Sequence, residues 1–137
     1  VDNDLMKAMQ ISASGLKAQT TRMRIIAENL ANSGSEATAP NEDPYRRKIV
    51  SFANVLDRTI DAETVKVAKV KFDQADFGMR FDPGHPGADA AGYVKTTNVN
   101  GMIEAMDMSQ AQRTYQANLN AIDAVKSLSV RTLEILR

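Results

Sequence analysis

Residues 5–32 and 99–136 each place apolar side chains at helical spacing, and these two stretches stand at opposite ends of the chain. A protein of 137 residues with its longest helices at its termini can cover both only by laying them side by side. Each apolar stripe then asks for more partner surface than the other helix supplies. In the first stretch, Leu5, Met9, Ser12, Leu16, Gln19, Met23, Ile26 and Leu30 alternate in steps of four and three, a heptad seam. Ser12 and Gln19 are polar interruptions of the kind that fix register at some cost in stability. Asp2, Asn3 and Asp4 supply caps and negative charge at the helix start, and Asn32-Ser33-Gly34 supplies the stop, where Asn or Gly accepts the left-handed conformation. At 1.5 Å per residue the helix runs about 40 Å.

The second stretch starts near Asn98 or Asn100, either of which suits an N-cap. Met102, Met106, Met108, Ala111, Tyr115, Leu119, Ile122, Val125 and Leu128 follow at mostly three- and four-residue steps, and Leu133 and Leu136 extend the stripe. The same rise gives a helix of about 55 Å.

Between the helices the pattern changes. Gly34 to Pro44 has the Ser, Thr, Asn and Pro content of a loop. Tyr45 to Phe52 suits a strand carrying the basic cluster Arg46-Arg47-Lys48. Val65-Lys66-Val67 and Val70-Lys71-Phe72 alternate, with Ala68-Lys69 shifting the phase as a bulge does. Phe77, Met79 and Phe81 alternate again, and Asp82 to Gly87 is a Pro/Gly turn. The expected fold is therefore mainly α: long N- and C-terminal helices paired as a coiled-coil layer, with a small loop- and β-rich middle insert. Residues 1–32 plus 98–137 would form the helical core and residues 33–97 the insert.

Composition narrows the function. Lys+Arg and Asp+Glu balance at 17 each, so no global charge attracts nucleic acid or anionic lipid, and the absence of net self-repulsion favours association. Without cysteine there is neither a disulfide nor a thiolate metal site. No stretch approaches the roughly 18 apolar residues of a membrane span. The acidic start, with no apolar h-region after it, leads to the expectation of export by a route other than the general secretory one. The sequence holds no Gly-rich phosphate loop, nucleophile motif or triad pattern. His85, near Asp82 and Asp89, is a lone histidine in a turn and lacks the ligand set zinc needs. The expectation is a non-enzymatic protein with no cofactor, no metal, no nucleic-acid partner and no small-molecule substrate.

Two motifs make the reading specific. Ser14-Gly15-Leu16-Lys17-Ala18-Gln19, then Arg22, then Ile26-Ala27-Glu28-Asn29-Leu30-Ala31-Asn32, resembles the N-terminal signature of the flagellar basal-body rod, hook and hook-associated proteins. Met106-Asp107-Met108-Ser109-Gln110-Ala111-Gln112-Arg113-Thr114-Tyr115-Gln116-Ala117-Asn118-Leu119 resembles the C-terminal motif of the same family. Pro44 to Lys48, Asp82 to Pro86, Gly92 to Lys95 and Asn98-Val99-Asn100 are similar to the proximal rod members. Gly101 stands where relatives carry a bulky aliphatic, and Ser33-Gly34-Ser35 replaces the usual Asn-Thr pair.

The resemblance implies a structural subunit exported unfolded by the flagellar type III apparatus, without a cleavable secretory signal, and stacked helically into the periplasm-spanning rod of the basal body. Its partners would be copies of itself and other flagellar rod proteins, with the membrane-embedded basal-body ring and the export apparatus nearby. A soluble helical adaptor or export chaperone is the alternative from another class.

Several residues are candidate subunit contacts: Leu16, Gln19, Arg22, Asn29, Leu30 and Asn32 from the first motif, and Gln112, Arg113, Tyr115, Asn118 and Leu119 from the second. Asn29 and Asn118 either set register inside a packed bundle or are solvated, and Asn32 reads equally as a C-cap. Arg113 and Tyr115 are of the types enriched at binding hot spots, or else a solvated charge and an internal core residue. The methionines form an adaptable groove or plain core filler. Arg46, Arg47 and Lys48 form a basic patch suited to an acidic neighbouring subunit. Gln10, Ser14, Lys17 and Thr21 form a polar face for lumen or neighbour contact.

Overall fold

The computed structural model describes residues 2–136, so the expected bounds at residues 1 and 137 fall outside the described residues, as does the capping role of the Asp2 side chain. Helix α1 runs Asp2–Ala31 and α2 runs Gly101–Ile135; between them lie β1 (Lys48–Asp57), β2 (Ala62–Phe72), β3 (Gly78–Phe81) and β4 (Tyr93–Thr96). The strands form two separate two-stranded antiparallel sheets, β1-β2 and β3-β4.

This corrects the expected fold class. The helices do stand at the two ends, but the chain is 48% helical with 22% strand, a mixed α and β protein rather than a mainly α coiled-coil layer. One physical reason lies in the middle. The alternating stretches at 65–67 and 70–72, with their phase shift at Ala68-Lys69, lie within one 11-residue strand, β2, hydrogen-bonded to the 10-residue β1.

A second reason lies in what the helices bury. Of the expected seam on α1 only Ile26 is buried, and the buried set is Ala18, Ile25, Ile26 and Asn29. On α2 the buried residues are Glu104, Ala111 and Val125, whereas Met102, Met106, Leu128, Leu133 and Leu136 of the expected stripe are exposed. Ala111 and Val125 belong to the expected stripe and Glu104 does not, while several of the stripe's bulkiest side chains stay exposed.

The chain divides into two compact units. The first comprises Val1–Met23, Ser51–Lys69 and Ser109–Arg137. Here Gly15 of α1 faces Asn118 of α2: a Cβ on Gly15 would lie 2.9 Å from the Asn118 Nδ2. The Ser14 hydroxyl donates to the Ile11 carbonyl (2.7 Å) and accepts from the Val65 N–H (3.2 Å), which ties β2 to α1. The buried Thr64 hydroxyl donates to the Val55 carbonyl across the β1-β2 hairpin. At the hairpin turn, Asp61 takes φ 49°, a left-handed conformation that aspartate tolerates better than most residues.

The second unit comprises Arg24–Val50 and Val70–Met108. Strands β3 and β4 pair antiparallel with Gly78 opposite Thr96 and Phe81 opposite Tyr93. The segment after α1 adds to this sheet: the Ala37 N–H donates to the Lys95 carbonyl and the Thr97 N–H to the Ser35 carbonyl, both at 3.0 Å. Val94 and Ala37 are buried at this junction. Gly87 packs on it so closely that a Cβ there would overlap the Ala37 carbonyl. Phe81 and Tyr93 stack edge to face at 5.3 Å, a favourable aromatic geometry.

The helix ends are explicit. Asn100 is the N-cap of α2, its Oδ1 accepting from the Met102 and Ile103 N–H groups, so the first turn forms although Gly101 begins it. At the end of α1 neither Asn32 nor Gly34 is left-handed. The helix closes instead through the Asn32 side chain, whose Nδ2 donates to the Glu28 carbonyl at 2.8 Å, and through a tight turn with Ser33 N–H to Leu30 O and Ser35 N–H to Asn32 O.

Candidate assembly surfaces and the polar hub

Within the second unit, five segments converge on one buried polar hub. Asn29 is 1% exposed and Glu104 is fully buried. The Asn29 Nδ2 donates to the Lys48 carbonyl (2.9 Å) and to Glu104 Oε2 (3.1 Å), while its Oδ1 accepts from the Tyr45 hydroxyl (2.8 Å) and the Lys48 N–H (3.0 Å). Arg47 binds Glu104 through Nε, reaches Asp73 through Nη1 (3.2 Å) and lies 3.6 Å from Asp107. Its backbone N–H donates to Asn98 Oδ1 (2.7 Å), and the Asn98 amide donates to the Asp73 and Ala75 carbonyls. Arg46 donates to the same two carbonyls and lies 4.2 Å from the centre of the Phe77 ring, a cation–π contact. Lys48 pairs with Glu28 at 3.0 Å.

The electrostatics follow from these contacts. Partial burial disfavours the Arg47 cation, but the hydrogen bond and charge of Glu104, and then those of Asp73, outweigh it and raise its pKa. The Ala75 N–H chiefly holds Asp73 below the usual carboxylate range, with Arg47 assisting against the opposing effect of burial. The Lys48 hydrogen bond does the same for Glu28. Burial pushes the Tyr45 phenol up. A buried carboxylate is tolerable only when paired and hydrogen-bonded, and Glu104 is both. The hub fixes where α1 ends, where β1 starts and how α2 begins.

The predicted contact residues fall into three groups. Asn29 sits in the hub, and Asn118 is half-buried against Gly15. Leu16, Gln19, Arg22, Leu30, Asn32, Tyr115 and Leu119 are half-buried; the Gln19 Oε1 is buried without a hydrogen-bond partner. Gln112 and Arg113 are exposed, Arg113 donating back to the Ser109 carbonyl. The basic cluster Arg46-Arg47-Lys48 is half-buried and engaged by the acceptors named above.

Glu104 was not anticipated from sequence. Its signal was its phase: Glu104, Met108, Ala111, Tyr115 and Asn118 recur in steps of four and three, and every one of them is buried or half-buried. Large apolar side chains stay exposed near both ends of α2. Met102 is 77% exposed and Leu136 79%, and Met106, Leu128, Val130 and Leu133 are each more than half exposed. Among the described residues no helix is long and apolar enough to cross a membrane, and no group of acidic or histidine side chains is arranged to hold a metal ion.

Comparison with known proteins agrees with this arrangement of termini. The family described as flagellar basal body rod FlgEFG protein C-terminal matches residues 90–135, the segment holding β4 and α2. Over 97% of its length the chain is 46% identical to the flagellar basal-body rod protein FlgC of Agrobacterium fabrum, covering 96% of that protein. It is 41% identical to FlgC of Salmonella typhimurium (96% of the chain, 97% of the relative) and 36% identical to FlgC of Bacillus subtilis (93% and 95%). Identity at this level, sustained end to end across distant bacteria, means that the chain belongs to the family of flagellar basal-body rod proteins FlgC.

Proposed function

We propose that this protein is a structural subunit of the bacterial flagellar basal-body rod, and that it joins copies of itself and other rod proteins into a helical tube that transmits torque and passes export substrates. The observation that carries this reading is the set of large apolar side chains that α2 leaves exposed in a chain of the FlgC family. Large exposed apolar patches mark interaction sites. Contacts between unlike surfaces of identical subunits propagate rather than close, as a rod requires. Leu16, Gln19, Arg22, Leu30 and Asn32 on α1, and Gln112, Arg113, Tyr115 and Leu119 on α2, are the side chains proposed to meet neighbours. Asn29 and Asn118 hold the helices in the register that presents them. Arg46, Arg47 and Lys48 are engaged by acceptors within the chain, and only their exposed edges are proposed to add an electrostatic contact to an acidic neighbour. The protein's place in the rod lies close to the basal-body ring and the export apparatus.

Hydrogen–deuterium exchange on the purified protein, compared with the same protein in isolated basal bodies, tests the reading. Residues 5–32 and 99–136 are expected to exchange fast alone and slowly in the assembly. Equal protection of both ends in a discrete monomer or dimer would replace the rod account with a soluble adaptor or export chaperone.

A further inference from the structure

The first unit carries a cleft of about 300 Å³ between α1 and β2. Its lining is mostly apolar, with Ala18, Val65 and Val67 flanked by two exposed lysines, Lys17 and Lys66. The Ser14 hydroxyl in the lining is already satisfied on both sides, by the Ile11 carbonyl and the Val65 N–H, and so makes little further polar demand. A cleft of this kind suits leucine-sized side chains accompanied by a negative charge.

The same chain carries a surface of that description, made of different residues. Near the end of α2, Val130, Leu133 and Glu134 stand at i, i+3 and i+4 and share one helix face, and the two apolar side chains are 55% and 66% exposed. That apolar face with its one carboxylate and the cleft with its two lysines complement each other and not themselves. Surfaces of that relation make a heterologous contact, which repeats from copy to copy.

We propose that Val130 and Leu133 of one copy seat in the α1-β2 cleft of the next, with Glu134 placed between Lys17 and Lys66. The proposal rests on the rod reading and names two of the surfaces that join like subunits. A few aliphatic side chains in one cleft fall well short of the roughly 1,000 Å² that a stable interface buries. Isolated copies therefore stay apart, and the contact persists only where other rod contacts already hold neighbours in place.

The chain has no cysteine of its own, which makes cross-linking direct. Val67→Cys and Leu133→Cys are placed in one full-length chain that is the cell's sole copy, and isolated basal bodies are oxidised. The expected result is a ladder of covalently joined copies from the double variant and from neither single variant, since a disulfide requires Cα atoms within about 7 Å. A double variant present in basal bodies without a ladder, or joined to a different rod protein, overturns the proposal and leaves the rod reading intact. Absence of the unsubstituted protein from basal bodies overturns the rod reading itself.

Charge reversal supplies a second arm that does not depend on cysteine. Glu134→Lys is expected to lower incorporation about tenfold, a loss equivalent to about 1.4 kcal/mol, and adding Lys17→Glu with Lys66→Glu to restore it. Normal incorporation of Glu134→Lys, or no restoration by the triple change, counts against the pairing.

Discussion

Asn29 commits its whole side-chain amide to the hub, where both its donor and its acceptor contacts go to the segments that meet there. Its neighbour Glu104 is fully buried, and the Arg47 it binds is half-buried. Truncating one partner of a buried ion pair costs about 3–5 kcal/mol, because the other charge is left uncompensated. Asp73 and Asp107 remain beside Arg47, so Glu104→Ala is expected at the lower end of that range, about 3 kcal/mol, in urea denaturation. The pH dependence follows from the carboxylates around the hub. Asp73 and Glu28 have folded pKa values held below their ordinary ones, which are about 3.9 and 4.3 when unfolded. Their contribution is complete above those unfolded values and is lost as pH falls through the folded ones. The urea midpoint should therefore hold near neutrality and fall below about pH 4. Asp73→Asn keeps the acceptor for the Ala75 N–H but loses the charge facing Arg47. It should lower the midpoint at pH 7 and flatten the acid limb.

The helices show what sequence periodicity can and cannot reveal. Their placement at the two ends was legible from spacing alone, because a long run of three- and four-residue steps matches the helical repeat and no strand period. The choice of buried face was legible only in part. Ile26, Ala111 and Val125 of the expected stripes are buried, whereas Met102, Met106 and Leu128 are exposed and Ala18 and Glu104, which stood outside the stripes, are buried. The hub was half legible: Asn29 and the Arg46-Arg47-Lys48 cluster stood out, but the acceptors Glu104 and Asp73 were not singled out. The β1-β2 hairpin was under-read. Its lysines at 66, 69 and 71 are exposed, so its polar pattern marks solvent and gives little evidence of pairing. Close packing at the small positions predicts intolerance of bulk. Ala111 is fully buried, and Ala111→Leu is expected to destabilise the purified protein by about 1–3 kcal/mol through overpacking. An equal or higher thermal midpoint for that variant would show that α2 has room there.

At the scale of the molecule, stability and assembly draw on different side chains. Glu104 and Asn29 hold the chain's own geometry, while Met102 and Met106, 77% and 67% exposed near the start of α2, touch too little of it to contribute much. Surface substitutions away from buried features usually change stability by less than about 0.5 kcal/mol. The double change Met102→Gln with Met106→Gln should therefore leave the urea midpoint of the purified protein unmoved. If the outward face of α2 is where neighbours dock, the same change removes apolar area from each contact along the rod. Because every subunit carries the defect, a small loss per contact is repeated throughout the assembly. The expected outcome is an ordinary monomer that incorporates poorly into basal bodies and restores motility weakly to cells lacking the unsubstituted protein. A variant that assembles and supports swimming at the unsubstituted level would move the docking face off these methionines. A fall in monomer stability alongside the assembly defect would assign them to the fold instead.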